Sequence, residues 1–181
     1  MPIEAQYVTY YGIHLDHYNY TWGGAAYNKL LVTEYPNEYL ISTASTEAKT
    51  AKFLYPRLVG NPVYIDGVAE GHIVIWNSHA VNTTKIQSYT VSLLKTPDVA
   101  DNETTLGTYA NTITADNEIT TENYLYLPVY MNVKKQELGV DEKLILEITY
   151  TDDGAGTPNI SHENDSTLED IKIKIPYGTE R

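Results

Sequence analysis

The stretch KLILEITYT, from Lys143 to Thr151, alternates apolar and polar side chains along most of its length. Successive side chains on an extended strand point in opposite directions, so Glu147 and Thr149 would share one face. The opposite face would be apolar and consist of Leu144, Leu146, Ile148 and Tyr150. This pattern predicts a β-strand with one side in the core.

The same period of two recurs elsewhere in the chain. In DIKIKIP, from Asp170 to Pro176, isoleucines alternate with lysines, and KIQSYTVSLLK, from Lys85 to Lys95, alternates in the same way. GHIVIWN and NYLYLPVYMNV are more densely apolar, which is typical of strands covered on both faces. Helix signals are few: residues from Ser45 to Leu54 predict either one or two helical turns or a direct lead into a strand.

Turn and breaker residues separate these runs. Asp66-Gly67 is a strong hairpin signal, and Gly71 soon after it is typical of a bulge. Pro128 has no backbone N–H, so its strand should lie at a sheet edge or be broken there. Strands and turns without helical crossovers predict an all-β fold, namely an antiparallel, jelly-roll-like β-sandwich with little helix. We expect residues 1–181 to form a single domain of this kind.

Charge and composition exclude several classes of protein. The chain carries 24 acidic and 12 basic residues, a net charge of −12, and it has no cysteine. Nucleic acids and anionic membranes attract cations, so we expect neither as a partner. No apolar run approaches the ~18 residues of a membrane helix, and the first residues lack the pattern of a secretory signal. Without cysteine there are no disulfides, thiolate metal sites or cysteine nucleophiles.

Nearly all the aromatic residues of the chain are tyrosines. There are 17 Tyr, two Trp and one Phe. Tyrosine is preferred where a ring is half buried and its hydroxyl meets water or a partner, as at interfaces and ligand surfaces. The alternative is that many of these rings simply lie at strand ends on the surface of the sandwich.

HLDHYNYTWGG, from His14 to Gly24, concentrates candidate ligand-binding side chains. We expect Tyr18, Tyr20 and Trp22 to present rings that stack on a sugar or on a neighbouring subunit. The alternative is that they form a rim of the core. The stretch also holds three side chains of the types that bind metals, His14, Asp16 and His17. They converge only if the chain turns between them, so a metal site is the less favoured interpretation.

The acidic stretch from Tyr150 to Asp170 is the second candidate site. Asp152, Asp153 and Asp165 supply the carboxylate oxygens that calcium prefers in loops. The ligand spacing of an EF-hand is absent, so the default interpretation is an acidic surface loop. Apart from this calcium, we expect no cofactor.

Catalytic motifs are absent from the sequence. There is no G-x-S-x-G, no H-E-x-x-H, no phosphate-binding loop and no dinucleotide fingerprint. We therefore expect that the chain is not an enzyme.

The central stretch NPVYIDGVAEGHIVIWNSHAVNTTKIQSYTVSLLKT and its continuation through LPVYMNVKKQELGVDEKLILEITYT, from Asn61 to Thr151, carry a resemblance. In layout they resemble accessory virion proteins of tailed viruses of bacteria and archaea. The resemblance implies a β-sandwich on the outside of a particle, such as a capsid decoration protein, a head-fibre base or a tail component. It implies as partners the major capsid protein or other virion proteins and further copies of the chain, in a homo-oligomer. The location would be the virion exterior, after synthesis in the host cytoplasm.

Two other functions stay open. One is a carbohydrate-binding module or adhesin that binds a glycan through Tyr18, Tyr20 and Trp22. The other is a subunit of an extracellular filament, in which a segment before Gly12 or after Asp170 completes the sheet of a neighbour. If the chain is not viral, we expect it outside the cell or at the cell surface.

Overall fold

The computed structural model describes residues 6–14, 20–34, 49–56, 62–77, 81–97, 102–114, 118–120, 123–161 and 171–178. All regular secondary structure in these ranges is β-strand. The described residues contain no helix long and apolar enough to cross a membrane. The strands are β1 (Gln6–His14), β2 (Tyr20–Trp22), β3 (Ala25–Tyr27), β4 (Lys29–Val32), β5 (Thr50–Leu54), β6 (Val63–Asn77), β7 (Thr84–Thr96), β8 (Thr104–Thr112), β9 (Glu118–Ile119), β10 (Asn123–Leu138), β11 (Lys143–Asp152), β12 (Pro158–Ile160) and β13 (Lys172–Gly178).

Eleven strands form one continuous sheet, whose main path runs β10-β6-β13-β1-β4-β5-β11-β7-β8. Neighbours on this path are antiparallel except β4 and β5, which meet in parallel at Leu30 and Leu54. Side chains of β10-β6-β13-β1 and of β5-β11-β7-β8 are buried in one cluster, so these two groups of strands form layers that face each other. The two ends of the path also approach, because a Cβ on Gly107 of β8 would lie 2.9 Å from the Asn132 carbonyl oxygen of β10. The predicted all-β, antiparallel, jelly-roll-like sandwich is confirmed.

The core lies between the two layers. The apolar face of KLILEITYT is buried in it, as is the isoleucine face of β13, which confirms both strand predictions. Facing side chains come from β6, β10 and β7, so both layers contribute to one cluster. The inward residues of these five strands include Leu144, Leu146, Ile148, Ile173, Ile175, Ile73, Ile75, Val129, Met131, Tyr89 and Val91.

A second, smaller apolar cluster lies on the outer side of the sheet. Ile145 belongs to it, whereas its chain neighbours Leu144 and Leu146 point into the main core, because side chains on a strand alternate. The short hairpin β2–β3 packs over this cluster with its aromatic residues. The buried members are Ile13, Leu30, Leu54, Leu94 and Ile145.

β1 and β13, the first and last described strands in the sequence, pair with each other in the interior of the sheet. Tyr10 of β1 lies opposite Ile173 of β13, and β13 is also paired with β6. In the described part of the chain, these two segments therefore complete their own sheet. This placement disagrees with what the filament interpretation requires of them.

The predicted hairpin at Asp66-Gly67 is not formed. β6 runs without a turn from Val63 to Asn77, and Gly67 has a φ of +122° at a register irregularity shared with both neighbouring strands. Gly71 has a different role from the predicted bulge: a Cβ there would lie 1.9 Å from the Lys172 carbonyl oxygen. Glycine thus lets β13 approach β6 at a distance that no other residue allows.

The structure also answers the predictions made for Pro128, for the dense apolar run of β10 and for the stretch from Ser45. Pro128 lies in β10, which is the edge strand of its layer, as predicted from the missing N–H. The dense apolar run of β10 does not mean cover on both faces, because Tyr126 and Tyr130 are exposed. Of the ambiguous stretch from Ser45, residues Thr50–Leu54 form β5, and residues 45–48 lie outside the described residues.

Candidate functional site

The structure gives Tyr20 and Trp22 a packing role in the β2–β3 hairpin. Both rings surround the buried side chain of Lys143, whose Nζ donates a hydrogen bond of 3.0 Å to the Tyr20 hydroxyl. The same Nζ lies 4.3 Å from the centre of the Trp22 ring, a cation–π contact. Lys143 also donates to the Pro56 carbonyl oxygen. Tyr20 and Trp22 therefore pack against Lys143, and their stacking on a sugar or on a neighbouring subunit stays a prediction.

The other residues of HLDHYNYTWGG are only partly described. Tyr18, Asp16 and His17 lie outside the described residues. His14 ends β1, and its Nε2 lies 3.0 Å from the Asn28 side-chain nitrogen.

Asp152 and Asp153 hold the turn that follows β11. Asp152 Oδ1 accepts a hydrogen bond of 2.7 Å from the Gly154 N–H, and Asp153 Oδ1 accepts one of 3.1 Å from the Ala155 N–H. This second bond, helped by one from Thr84, holds the pKa of the Asp153 carboxyl below its usual value. The described ranges contain no group of three or more His, Cys, Asp or Glu that would fit a metal. Asp165 lies outside these ranges, and the calcium site stays a prediction.

Exposed aromatic rings instead gather on the outer side of the layer β10-β6-β13-β1. Along β10, apolar residues point inward and tyrosines point outward, so that Tyr126 is 44% and Tyr130 is 59% exposed. We call this surface the aromatic face, and it comprises Tyr124, Tyr126 and Tyr130 of β10 with His72 and Trp76 of β6.

The rings of the aromatic face hold one another in position. Trp76 lies opposite Tyr124 in the register, and their rings stack with centroids 6.1 Å apart and planes 18° apart. His72 meets Tyr126 edge to face at 5.6 Å. Cross-strand aromatic pairs of this kind restrict side-chain rotation. The aromatic face is therefore partly ordered before any ligand binds.

A groove of about 350 Å³ lies next to these rings, over β6 and β13. Its side chains form two rows across the strands, because the register aligns them. One row joins Tyr130, Glu70 and Lys174, and the other joins His72 and Lys172. With strands about 4.8 Å apart, the first row spans about 10 Å.

Charges of both signs line the groove. Lys174 Nζ lies 3.9 Å from Glu70 Oε1, a loose contact between two half-exposed groups. Lys172 Nζ lies 5.8 Å from the centre of the Tyr11 ring on β1. The lysines point outward because the isoleucines between them fill the core, which is the alternation of DIKIKIP.

Sequence reasoning missed this site although its signal was present. In NYLYLPVY, Leu127 and Val129 are buried and Leu125 is partly buried, and the residues that alternate with them are Tyr124, Tyr126, Pro128 and Tyr130. The groove itself had no local signal, because it requires Gly71 and Lys172 from strands about a hundred residues apart in the chain. Flat rings beside charged hydrogen-bonding groups can bind a ligand that has both C–H faces and hydroxyls.

The chain matches no protein family, and no curated protein is similar to it. An aminopeptidase from the marine sediment archaeon Thaumarchaeota archaeon has a TM-score of 0.53 at 8% identity, over 75% of this chain and 27% of that chain. A CocE/NonD family hydrolase from Staphylococcus aureus has a TM-score of 0.49 at 8% identity, over 96% and 37% of the two chains. An alpha-amino acid ester hydrolase has a TM-score of 0.44 at 9% identity, over 71% and 24%.

The prediction that the chain is not an enzyme is wrong. It rested on missing motifs in an all-β sequence, yet the aminopeptidase that shares this fold is a hydrolase. The chain spans only 27% of the length of that aminopeptidase. At 8% identity the likeness shows the fold alone, so no substrate and no catalytic residue is carried over from it.

Proposed function

We propose that the protein binds a glycan through the aromatic face, as a carbohydrate-binding module or adhesin. The observation that carries the proposal is the exposure of Tyr126 and Tyr130 beside a groove lined by Glu70, His72 and Lys172. A binding role of this kind suits a domain of a larger enzyme as well as a separate adhesin.

The chemistry of a sugar matches this combination of side chains. One side of a pyranose ring presents C–H groups, which pack against the face of an aromatic ring. Its hydroxyls both donate and accept, so they can bond to a carboxylate such as Glu70 and to an ammonium such as Lys174. Glu70 offsets only one of the two lysines, so the groove carries a formal charge of +1 and suits a neutral or an acidic saccharide.

The expected affinity for one site is modest. An aromatic contact contributes about 0.5–1.5 kcal/mol beyond its buried area, and the groove is open to water, so each hydrogen bond contributes little net free energy. Attachment by one copy would be weak, and several copies on one particle or cell would multiply it.

A glycan array followed by calorimetry tests the proposal. We expect the wild type to bind at least one class of glycan, and Tyr130→Ala to weaken that binding roughly tenfold. Tyr7→Ala is the matched control, because Tyr7 is 52% exposed on β1 but does not line the groove. The proposal would be refuted if the wild type bound no glycan on the array, or if both variants lost glycan affinity equally.

The virion accessory role stays a prediction beside this one. Its support is the resemblance of the stretch from Asn61 to Thr151 to accessory virion proteins. This stretch contains β6 and most of β11. In that setting the aromatic face would be available on the outside of a particle. Co-sedimentation with capsids of a candidate virus, and the oligomeric state of the chain in solution, test it: a monomer that binds no shell would contradict it.

A further inference from the structure

A second cavity, of about 370 Å³, lies at one end of the sandwich where β11 turns toward β12. It is separate from the groove of the aromatic face and shares no lining residue with it. Lys49, which precedes β5, borders it on one side, and the turn from Gly154 to Asn159 borders it on the other.

The cavity contains a carboxylate oxygen that is buried and incompletely satisfied. The Asp152 side chain is only 3% exposed. Its Oδ1 accepts the Gly154 N–H, but within the described part of the chain its Oδ2 accepts no hydrogen bond. Lys49 Nζ lies 3.2 Å from Oδ2 as an ion pair, with a lysine side chain that is 60% exposed. This ion pair lacks the geometry of a hydrogen bond, and a ligand hydroxyl would give Oδ2 the hydrogen bond that it does not have.

Hydrogen bonds to the sheet hold both walls of the cavity in place. Asn77 Oδ1 accepts the Thr157 N–H at 3.3 Å, and a Cβ on Gly156 would lie 2.9 Å from that same oxygen. The Lys49 carbonyl oxygen accepts the Tyr150 N–H at 3.0 Å, which fixes the lysine beside β11. Both walls are therefore anchored to the sheet, and binding requires little rearrangement.

We infer that this cavity is a ligand site for a neutral diol, that is, for two adjacent hydroxyls of a saccharide held between Asp152 and Lys49. One hydroxyl donates to Asp152 Oδ2 and accepts from Lys49 Nζ, and its neighbour lies toward Asn159, which also lines the cavity. A metal cation would meet the lysine ammonium, and an anion would meet the carboxylate. The opposite charges at 3.2 Å thus select a ligand without net charge.

Amide NMR spectra of the whole chain test this inference. The probes are the methyl glycosides of glucose, galactose and mannose, with calcium chloride and sodium sulfate as ionic probes. We expect at least one glycoside to shift the Gly154 and Gly156 amide resonances saturably, and neither salt to do so. Lys49→Met should weaken this binding roughly tenfold or more, since it removes a charged hydrogen bond. This lysine is mostly exposed, so the variant is expected to fold.

Asp152→Asn keeps the shape of the side chain and should also weaken binding. Tyr130→Ala, on the aromatic face, should leave the shifts of Gly154 and Gly156 unchanged, which distinguishes this site from the one in the proposed function. Three results would each overturn the inference: no saturable shift with any glycoside, a shift that Lys49→Met leaves unaltered, or saturable binding of calcium or sulfate at the same amides.

Discussion

The Tyr89 hydroxyl donates a hydrogen bond of 2.6 Å to the Pro128 carbonyl oxygen. Tyr89 belongs to β7 and Pro128 to β10, so the bond crosses the sandwich between its two layers. Pro128 lies on an edge strand and has no N–H to give, and its carbonyl finds a partner across the core. The bond therefore ties the free edge of one layer to the interior of the other.

Tyr89→Phe should destabilise the fold by about 1–2 kcal/mol. The ring still fills its place in the core, but the carbonyl of Pro128 loses its donor. Urea denaturation followed by circular dichroism measures the change. Tyr7→Phe, at an exposed ring, serves as the control and should leave the unfolding midpoint unaltered. An unaltered midpoint in Tyr89→Phe would show that the bond contributes nothing to stability.

The stability of the fold should fall in alkaline solution. Burial raises the pKa of Tyr10 and of Tyr89 to about 12, from an ordinary value of 10.0. Between these values the unfolded chain loses these protons while the folded chain keeps them. Stability should thus be complete below about pH 10 and decrease as the pH rises toward 12. Urea midpoints measured across this range test the expectation.

Tyr10→Phe should make that pH dependence shallower, because it removes one of the tyrosines whose pKa burial raises, a set that also includes Tyr150 and Tyr177. The Tyr10 hydroxyl lies 2.6 Å from the Tyr177 hydroxyl, so the variant is also expected to be less stable at neutral pH. The slope with pH, and not the midpoint itself, is the informative quantity. A midpoint that stays constant up to about pH 11 in the wild type would contradict the expectation.

Gly71→Ala should destabilise the protein by about 3 kcal/mol or more, beyond an ordinary overpacked core site. The added Cβ would lie 1.9 Å from the Lys172 carbonyl oxygen, which is backbone and cannot swing aside. Thermal unfolding measures the effect. The control is Gly178→Ala on β13, where a Cβ meets no atom within 4 Å. Equal melting temperatures for the two variants would contradict the close approach of β6 and β13.

Asn77→Ala should cost about 2–4 kcal/mol, because several backbone groups lose one shared partner. The fully buried amide of Asn77 donates to the carbonyl oxygens of Asn82 at 2.8 Å and Ile119 at 3.1 Å, and it accepts from Thr157. Hydrogen exchange should become faster at Thr157 in particular. Asn132→Ala, on the exposed side of β10, is the control. Retained protection at Thr157 would show that Asn77 does not hold the turn.

The alternation in KLILEITYT and DIKIKIP was enough to determine strands with an apolar face in the core, because that property depends only on the direction of successive side chains. Pro128 predicted either an edge strand or a break, for the equally local reason of its missing N–H, and the fold has the edge strand. The local signals failed where a distant strand decided the outcome. Asp66-Gly67 has the composition of a hairpin turn, but pairing with β10 and β13 on both sides keeps β6 extended.

Which aromatic rings stay exposed depended on the tertiary structure alone. The sequence singled out Tyr18, Tyr20 and Trp22 as candidate ligand-binding rings and did not single out Tyr126 or Tyr130. The fold brings Lys143 beneath Tyr20 and Trp22 and leaves the two β10 tyrosines on an uncovered sheet face. Whether a ring packs or stays exposed is determined by what lies over it, and that neighbour is supplied by a residue more than a hundred positions away. Alternation therefore determined which side chains point outward, and only the folded chain decided which of them remain uncovered.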